Sequence, residues 1–151
     1  MKAIAAPKRR INPKFARFRL QIGRSATHRY GVFALEDIPA SRRIIEYTGK
    51  RLNLEQVFNL RAPEDSYIAR INSKLYLDGR WGGSGAEFIN HSCASNLVTR
   101  CIGSHLYLYS RRKIRAGEEL TWNYRYPIKL KAVPCRCGAR RCRGTLRYVW
   151  G

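Results

Sequence analysis

The sequence predicts a mainly β fold made of several small sheets. Short runs rich in β-branched and aromatic residues are separated by turn residues, which is the pattern of short strands. The spacing between these runs does not fit alternating strand and helix units. The predicted strands are Tyr30–Leu35, Arg42–Tyr47, Ser66–Ile71, Leu75–Asp78, Leu97–Ile102, Leu106–Ser110 and Leu120–Tyr124.

One helix is predicted, over Asn53–Arg61. Asn53 suits the N-cap, and Gln56 follows at the third helical position. Four apolar residues recur at helical spacing within it, namely Leu54, Val57, Phe58 and Leu60. The glycine-rich run from Gly82 to Gly85 has neither dinucleotide-binding nor P-loop spacing, so the sequence disfavours a nucleotide-binding fold of those kinds.

Length and hydropathy indicate one domain with a core of its own. The chain has 151 residues, of which 44% are hydrophobic. It has no apolar run near the roughly 18–20 residues that cross a bilayer, and no apolar stretch follows its basic start. We therefore expect neither a membrane span nor a signal peptide, and an intracellular location.

Positive charge dominates the composition. Lysine and arginine number 30 against 10 acidic residues, for a net charge of +20, and every acid lies between Glu36 and Glu119. Such a field attracts polyanions, so we expect contact with nucleic acid or with a nucleic-acid-bound protein. The alternative is that the charge only keeps the chain soluble.

Three regions follow from the distribution of charge and cysteine. Residues 1–19 form a basic arm that we expect to be mobile, with Pro7 and Pro13 interrupting any helix. Its basic residues are Lys2, Lys8, Arg9, Arg10, Lys14, Arg17 and Arg19. Residues 20–130 form the main domain, and residues 131–151 form a cysteine-containing segment.

The cysteine-containing segment has the spacing of a metal site. Cys135, Cys137 and Cys142 form a C-x-C-x4-C pattern in a short polar stretch. Thiolates this close together favour tetrahedral zinc, which takes four ligands. A disulfide framework is the alternative, although the chain has an odd number of cysteines, five. Cys93 as fourth ligand would fasten the segment to the centre of the chain, whereas Cys101 suits a buried strand position.

The stretch from Glu87 to Asn96 combines two amides, an imidazole and a thiol behind an apolar pair. Packing alone rarely needs this combination, so it indicates a site of chemistry. An Asx-rich turn with a buried cysteine is the alternative. We call residues 87–96 the central stretch.

Three motifs in this order closely resemble the SET-domain protein lysine methyltransferases with a post-SET zinc motif. They are Asn90–Asn96, Gly117–Tyr124 and the C-terminal cysteine cluster. Two earlier segments, Tyr30–Ala34 and Tyr47–Gly49, are also similar to motifs of this family. The resemblance covers the chain from about residue 22 to its end.

The resemblance implies a SET-domain fold of several small antiparallel sheets, with a knot-like C-terminal threading and a small post-SET zinc loop. It implies an S-adenosylmethionine-dependent protein-lysine N-methyltransferase acting on a histone or another basic, nucleic-acid-associated protein. The family binds the methyl donor on one face and admits the lysine from the opposite face. A non-catalytic, zinc-stabilised nucleic-acid-binding module on a degenerate SET fold is the alternative.

The resemblance also assigns site residues. The cofactor-binding residues are Arg29, Tyr30, Tyr67, Asn90, His91, Tyr124 and Trp150. Tyr124 and Tyr47 are catalytic, and Trp122 and Tyr126 line the substrate channel. One structural zinc ion is held by Cys93, Cys135, Cys137 and Cys142, although His91 is an alternative ligand.

Some residues depart from the family pattern. Arg29 replaces a usual glycine, Asn123 a common aspartate and Glu87 a common arginine. For nucleic acid we expect contacts from the arm and from Arg136, Arg140, Arg141, Arg143 and Arg147. The location implied is nuclear or chromatin-associated in a eukaryote and cytoplasmic in a bacterium.

Overall fold

A computed structural model describes residues 8–60, 67–124 and 134–146. It contains ten strands, one short α-helix and one 3-10 turn, Ala86–Phe88. The strands are β1 Leu20–Arg24, β2 Tyr30–Ala34, β3 Arg43–Tyr47, β4 Lys50–Leu52, β5 Ile68–Arg70, β6 Tyr76–Asp78, β7 Asn90–His91, β8 Leu97–Ile102, β9 His105–Ser110 and β10 Glu119–Trp122. The predicted mainly β fold is confirmed.

The strands form three small sheets. Their orders are β1-β2-β10-β7, β3-β9-β8 and β4-β6-β5. Every pairing is antiparallel except that of β7 with β10, where Asn90 lies opposite Thr121 and His91 opposite Trp122. This parallel pair is the neighbour relation that the expected knot-like threading requires.

The core lies between the inner faces of these sheets. In β9 the residues alternate, with Leu106 and Leu108 buried and Tyr107 and Tyr109 half-buried on the other face. This alternation is expected for a strand that packs one face against the core. Residues with no exposed surface include Val32, Ile44, Ile45, Ile89, Leu108 and Leu120.

The helix α1 spans Leu54–Phe58 and begins where the sequence predicts. Asn53 Oδ1 accepts the Gln56 N–H at 2.8 Å, and Gln56 Oε1 accepts the Asn53 N–H at 2.8 Å, which completes a capping box. None of its residues is buried, so its apolar side chains do not join the core as the helical spacing suggested. In the part of the chain that the structure describes, no helix is long and apolar enough to cross a membrane.

Part of the predicted mobile arm lies against the folded domain. The Arg17 N–H donates to the Ile44 carbonyl at 2.8 Å, and the Glu46 N–H donates to the Phe15 carbonyl at 3.0 Å. Apolar side chains between the basic ones pack against the core, namely Ile11, Ala16 and Phe18. The expectation of mobility is therefore wrong for residues 11–18, because it weighed the charges and not the apolar residues between them.

Strands β1, β4 and β7 were not predicted. Each is short and lacks the dense β-branched pattern of a central strand, and β7 has only two residues. Strand β1 pairs with the next strand, β2, but β4 and β7 pair with strands that are distant in sequence, β6 and β10. Local propensity does not record such a neighbour.

Gly49 provides a test of the fold. A Cβ at this position would lie 2.4 Å from the Asp78 carbonyl oxygen, because β4 starts beside β6. We expect Gly49→Ala to lower the free energy of unfolding by about 1–3 kcal/mol, measured by urea denaturation. Gly23→Ala is the matched control, since its Cβ would meet only the Phe33 ring at 3.5 Å. Equal stability of the two variants would contradict this reading of the contact.

Candidate functional site

The parallel pair of β7 and β10 brings the central stretch next to the Tyr124 segment. Ile89 and Leu120, one on each side, are fully buried and anchor the two strands in the core. Asn90 and His91 are also buried, with 8% and 7% of their surface exposed. Buried polar side chains need hydrogen-bond partners, and both residues have them.

The Asn90 side chain joins the segment Tyr30–Ala34, which we call the opening motif, to β10. Its Nδ2 donates to the Tyr30 carbonyl at 2.8 Å and to Glu119 Oε1 at 2.8 Å. Glu119 Oε1 also accepts the Ser25 hydroxyl at 2.8 Å. A Cβ on Gly31 would lie 2.2 Å from this carboxylate oxygen, so a larger residue there would displace the Glu119 carboxylate. Strand β7, strand β10 and the residue after β1 therefore meet at the Glu119 carboxylate.

Sequence reasoning gave Glu119 and Ser25 no role at the site. Glu119 begins a strand whose other residues are Leu120, Thr121 and Trp122, and a carboxylate at the start of this strand was the available signal for a special environment. For Ser25 no local signal existed, because its partner lies 94 residues away in the sequence. These two residues complete the polar network around Asn90.

Four rings lie in succession beside the parallel pair, and we call them the aromatic row. The ring centroids of Tyr47 and Trp122 are 6.2 Å apart, and those of Trp122 and Tyr124 are 4.9 Å apart. The centroids of Tyr124 and His91 are 5.3 Å apart. The rings are inclined by 57–63°, as aromatic pairs prefer. The sequence-predicted catalytic and channel residues thus lie together, as far as they are described.

Both tyrosine hydroxyls of the aromatic row donate to backbone carbonyls. The Tyr124 hydroxyl donates to Ile89 at 2.5 Å, and the Tyr47 hydroxyl donates to Tyr67 at 2.5 Å. A phenol has one proton to donate, so each oxygen acts only as an acceptor toward any further group. Trp122 differs, because its Nε1–H is buried without a partner among residues 8–60, 67–124 and 134–146.

His91 connects the aromatic row to the cysteines. Its Nδ1 accepts the Tyr124 N–H at 2.9 Å, and its Nε2 lies 3.3 Å from Cys93 Sγ. Burial, aided by the nearby Arg143 charge, lowers the pKa of the imidazole to about 4. The neutral ring therefore carries its proton on Nε2, as its hydrogen bonds require. This proton points at the Cys93 sulfur, so in this arrangement Nε2 offers no lone pair to a metal.

The four predicted zinc-ligating cysteines come together from distant parts of the chain. Cys93 Sγ lies 3.8 Å from Cys135 Sγ and 4.0 Å from Cys142 Sγ. The Cys93 N–H donates to Cys137 Sγ at 3.4 Å. A tetrahedral zinc with Zn–S bonds of about 2.3 Å separates its sulfurs by about 3.8 Å. The donor set and its spacing therefore fit a structural zinc ion. Cys101 lies apart from the cluster and donates to the Ile71 carbonyl, but it is exposed, so the expectation of a buried position is wrong.

Backbone amides favour the thiolate form of Cys137. Burial would raise the pKa of this thiol, but N–H groups of Cys93 and Ala139 donate to its sulfur and the pKa falls to about 6. Burial raises the pKa of the Cys93 and Cys135 thiols, although the Arg143 N–H donates to Cys93 Sγ at 3.4 Å. Since thiolate is the form that binds metal, Cys137 is the cysteine best prepared for an ion. The ligand atoms of Cys93, Cys135 and Cys137 also lie within 4.8 Å of one another and of the His91 ring nitrogen.

The other predicted site residues that the structure describes, Arg29, Tyr30 and Tyr67, lie outside the aromatic row. Arg29 is exposed. The Tyr30 ring lies under the guanidinium of Arg9, with 4.2 Å from the Arg9 Cζ to the ring centroid. The Tyr67 ring packs against Phe88 at 5.7 Å between centroids. Three further residues, Tyr126, Arg147 and Trp150, lie outside the described residues.

The family of the chain follows from a comparison with protein-family models. Residues 29–125 match the model of the SET domain. The chain belongs to the SET-domain family. This stretch begins at the residue before β2 and ends just after Tyr124, so it contains both strands of the parallel pair.

Curated proteins similar to this SET domain are larger. "Histone-lysine N-methyltransferase SETD1" of Drosophila melanogaster is 36% identical over 144 residues, which are 88% of this chain and 9% of that protein. "Histone-lysine N-methyltransferase, H3 lysine-4 specific" of Schizosaccharomyces pombe is 38% identical over 137 residues, which are 84% of this chain and 15% of that protein. The chain thus spans about 9–15% of the length of these two relatives.

Solved structures agree with the fold of this SET domain. A crystal structure of KRYPTONITE in complex with mCHG DNA and SAH superposes with a TM-score of 0.75 at 33% identity, over 87% of this chain and 29% of that one. Another, with mCHH DNA, H3(1-15) peptide and SAH, superposes with a TM-score of 0.73 at 32% identity, over 87% of this chain and 30% of that one. Both likenesses cover most of the present chain.

Glu87, which stands where the family commonly has arginine, is a buried carboxyl group in this SET domain. Its Oε2 accepts the Gly85 N–H at 2.8 Å. A Cβ on Gly83 would lie 2.4 Å from its Oε1, so the glycine-rich loop closes tightly around the carboxyl group. Burial raises the pKa of Glu87 to about 7, against the hydrogen bond to Gly85.

Glu87 gives this SET domain a predictable pH dependence. Between pH 4.5 and about 7 the folded chain keeps a proton on Glu87 that the unfolded chain has released, so this group makes stability fall as pH rises. We expect the free energy of unfolding of Glu87→Gln to lack this pH dependence. Relative to the wild type it should therefore rise by roughly 2–3 kcal/mol between pH 5 and pH 8, measured by urea denaturation. Glu55→Gln, on the exposed face of α1, controls for loss of a carboxylate. A pH-independent difference for Glu87→Gln would contradict the assignment.

Proposed function

We propose that this SET domain transfers a methyl group from S-adenosylmethionine to a lysine side chain of a histone or of another basic, nucleic-acid-associated protein. Membership of the SET-domain family supports this, as do relatives named histone-lysine N-methyltransferases and similar structures that contain SAH. The observation that carries the proposal is the aromatic row beside the buried Asn90 and His91.

The lysine must enter as a neutral amine. Its pKa in water is about 10.4, so the site has to disfavour the ammonium form. Tyr47 and Trp122 form aromatic walls, and Tyr126 is assigned to the same channel. Rings of this kind exclude water, and the loss of solvation lowers the pKa of the amine. They also align the nitrogen with the methyl carbon and the sulfur, as an in-line displacement requires.

S-Adenosylmethionine supplies an electrophilic methyl group on a sulfonium sulfur. Tyr124 and Tyr47 are the proposed catalytic residues, because their hydroxyl protons are directed to the carbonyls of Ile89 and Tyr67. Each phenolic oxygen therefore presents electron density to a positively charged group. Such fixed dipoles stabilise charge without having to reorganise during the reaction.

The buried Trp122 N–H belongs to this proposal as well. A buried donor without a partner costs free energy, so a group that accepts from it gains by entering. A water is such an acceptor, and it can in turn accept an N–H of the neutral amine, so that the lone pair of the nitrogen stays available to attack the methyl group.

The proposed cofactor-binding residues are Arg29, Tyr30, Tyr67, Asn90, His91, Tyr124 and Trp150. Within this set Asn90 fixes the backbone at Tyr30 through its amide, at 2.8 Å. The opening motif and the central stretch are therefore held together before a ligand arrives, which lowers the entropic cost of binding. Arg29 is exposed and suits a carboxylate of the ligand.

A single structural zinc ion, held by Cys93, Cys135, Cys137 and Cys142, is part of the proposal. It would tie residues 134–146 to the central stretch, since the backbone of Arg143 already contacts Cys93 Sγ. The Arg143 side chain adds to this link, because its Nη1 donates to Asn123 Oδ1 at 2.8 Å. The zinc thus acts on the site through position and not through the reaction.

Nucleic acid is the proposed second partner. A histone tail is itself basic, so a chain of net charge +20 gains attraction only from DNA or RNA attached to the substrate. The residues proposed for this contact are the basic arm and Arg136, Arg140, Arg141, Arg143 and Arg147. In a eukaryote this places the protein on chromatin.

Tyr124→Phe tests the proposed activity. We expect it to lower methyl transfer about 100-fold or more, because the hydroxyl that presents electron density is lost. The measurement is incorporation of labelled methyl from S-adenosylmethionine into histones, ribosomal proteins and whole lysate. Tyr107→Phe is the control, because it removes a hydroxyl from β9, outside the aromatic row.

Two results would contradict the proposal. No incorporation by folded, zinc-loaded wild type into any of these substrates would favour the non-catalytic alternative. An unchanged rate for Tyr124→Phe would show that another residue has the catalytic role.

Cys93→Ser tests the proposed zinc site. We expect zinc content, measured by mass spectrometry, to fall from about one per chain, because three ligands hold the ion poorly. Cys101→Ser is the matched control and should keep its zinc. Asn90→Ala should also keep zinc while losing methyl transfer, since its amide contacts Tyr30 and Glu119 and no cysteine. Equal zinc loss in Cys93→Ser and Asn90→Ala would contradict this division.

A further inference from the structure

We propose that the outer face of the β3-β9-β8 sheet binds single-stranded nucleic acid, with unpaired bases stacking on Tyr107 and Tyr109. We call this surface the sheet face. Neither the aromatic row nor the cysteine cluster includes these two tyrosines. The inference therefore adds a binding surface to the proposed function and does not depend on it.

The two tyrosines are placed by the alternation of the central strand. In the order β3-β9-β8 the middle strand is β9, whose Leu106 and Leu108 point into the core. Tyr107 and Tyr109 therefore share the outer face, two residues and about 6.7 Å apart. Aromatic side chains on the outer face of a sheet can stack successive unpaired bases, as they do in RNA-recognition sheets.

Arginines from both flanking strands accompany the rings. The Arg43 Cζ of β3 lies 4.0 Å from the Tyr107 ring centroid, and the Arg100 Cζ of β8 lies 4.7 Å from that of Tyr109. Arg43 Nε also donates to the Tyr109 hydroxyl at 3.3 Å. Each guanidinium lies over the face of its ring, so a base either displaces it or stacks on the guanidinium itself, which can also pair with a phosphate.

The edge of the sheet face is open to solvent. Val98, opposite Tyr109 in the ladder, is 39% exposed, and Ile102, opposite His105, is 52% exposed. Arg100, between them on the same strand, is exposed as well. Exposed apolar side chains next to aromatic rings provide further surface for bases.

The charge of the sheet face matches a polyanion. The carboxylate of Glu46 lies on this face, but it is only 17% exposed and lies 2.5 Å from the His105 Nδ1, so little of it is accessible to a ligand. Arg43 and Arg100 remain, in a chain whose net charge is +20. A basic protein would be repelled by this surface. A duplex would gain only the charge contacts, because its bases are already stacked on one another, so the rings select single strands.

The test measures binding of short labelled oligonucleotides by fluorescence anisotropy. The probes are a 12-residue oligothymidylate, a 12-residue oligouridylate and a DNA duplex of the same length. We expect Tyr107→Ala and Tyr109→Ala each to weaken binding of at least one single-stranded probe about tenfold, since a stacked base contributes that much, and to leave duplex binding unchanged. Whether thymidylate, uridylate or both respond distinguishes DNA from RNA as the source.

Matched variants separate stacking from charge. Tyr107→Phe keeps the ring and should keep single-strand binding. The double variant Arg140→Gln, Arg141→Gln should weaken binding of duplex and single strands alike and reduce the dependence on salt. Circular dichroism and methyl transfer to a free histone peptide should be unchanged in the tyrosine variants, which excludes misfolding and keeps this test separate from that of the activity.

Three results would overturn the inference. The first is unchanged single-strand affinity in both alanine variants. The second is an equal loss for duplex and single strands, which would reduce the surface to a general electrostatic contact. The third is a concentration-dependent dimer in sedimentation that Tyr107→Ala dissociates, which would make the sheet face a contact between two copies of the chain.

Discussion

Two residue pairs of a parallel ladder, Asn90 with Thr121 and His91 with Trp122, hold the candidate site together. One strand of the pair carries the amide and the imidazole, and the other leads into Tyr124. If the ladder were lost, Asn90 would lose its bond to Glu119 and His91 would lose the Tyr124 N–H, at a cost of about 1–3 kcal/mol for each group left unsatisfied. The polar network and the aromatic row therefore stabilise the same contact that positions them.

His91 shows how closely the metal cluster and the aromatic row are connected. One ring nitrogen accepts from the backbone of Tyr124, and the other lies 3.3 Å from Cys93 Sγ. A displacement of the cysteine is thus transmitted through a single ring to the backbone of the tyrosine. The cysteine cluster and the aromatic row are therefore in contact through His91, although they are separate motifs in the sequence.

The fold class, the helix start and the cysteine cluster could be predicted from the sequence, because each depends on local chemistry. The capping box at Asn53 and the C-x-C-x4-C spacing are both contained in fewer than ten residues. Contacts between distant residues were missed, such as Ser25 with Glu119, as was the packing of residues 11–18 on β3. The burial of the Trp122 N–H away from any partner among the described residues was equally unpredictable, since the burial of one atom is a property of the assembled fold.

The cysteine cluster also bears on the order in which the chain assembles. Cys93 is separated from Cys135 by 42 positions and from Cys142 by 49. Closing a loop of this length costs entropy that the metal can offset only once the ends are near each other. Strands β8, β9 and β10 lie inside that loop and bring its ends together. We therefore expect the four-cysteine site to be complete only after these strands have formed.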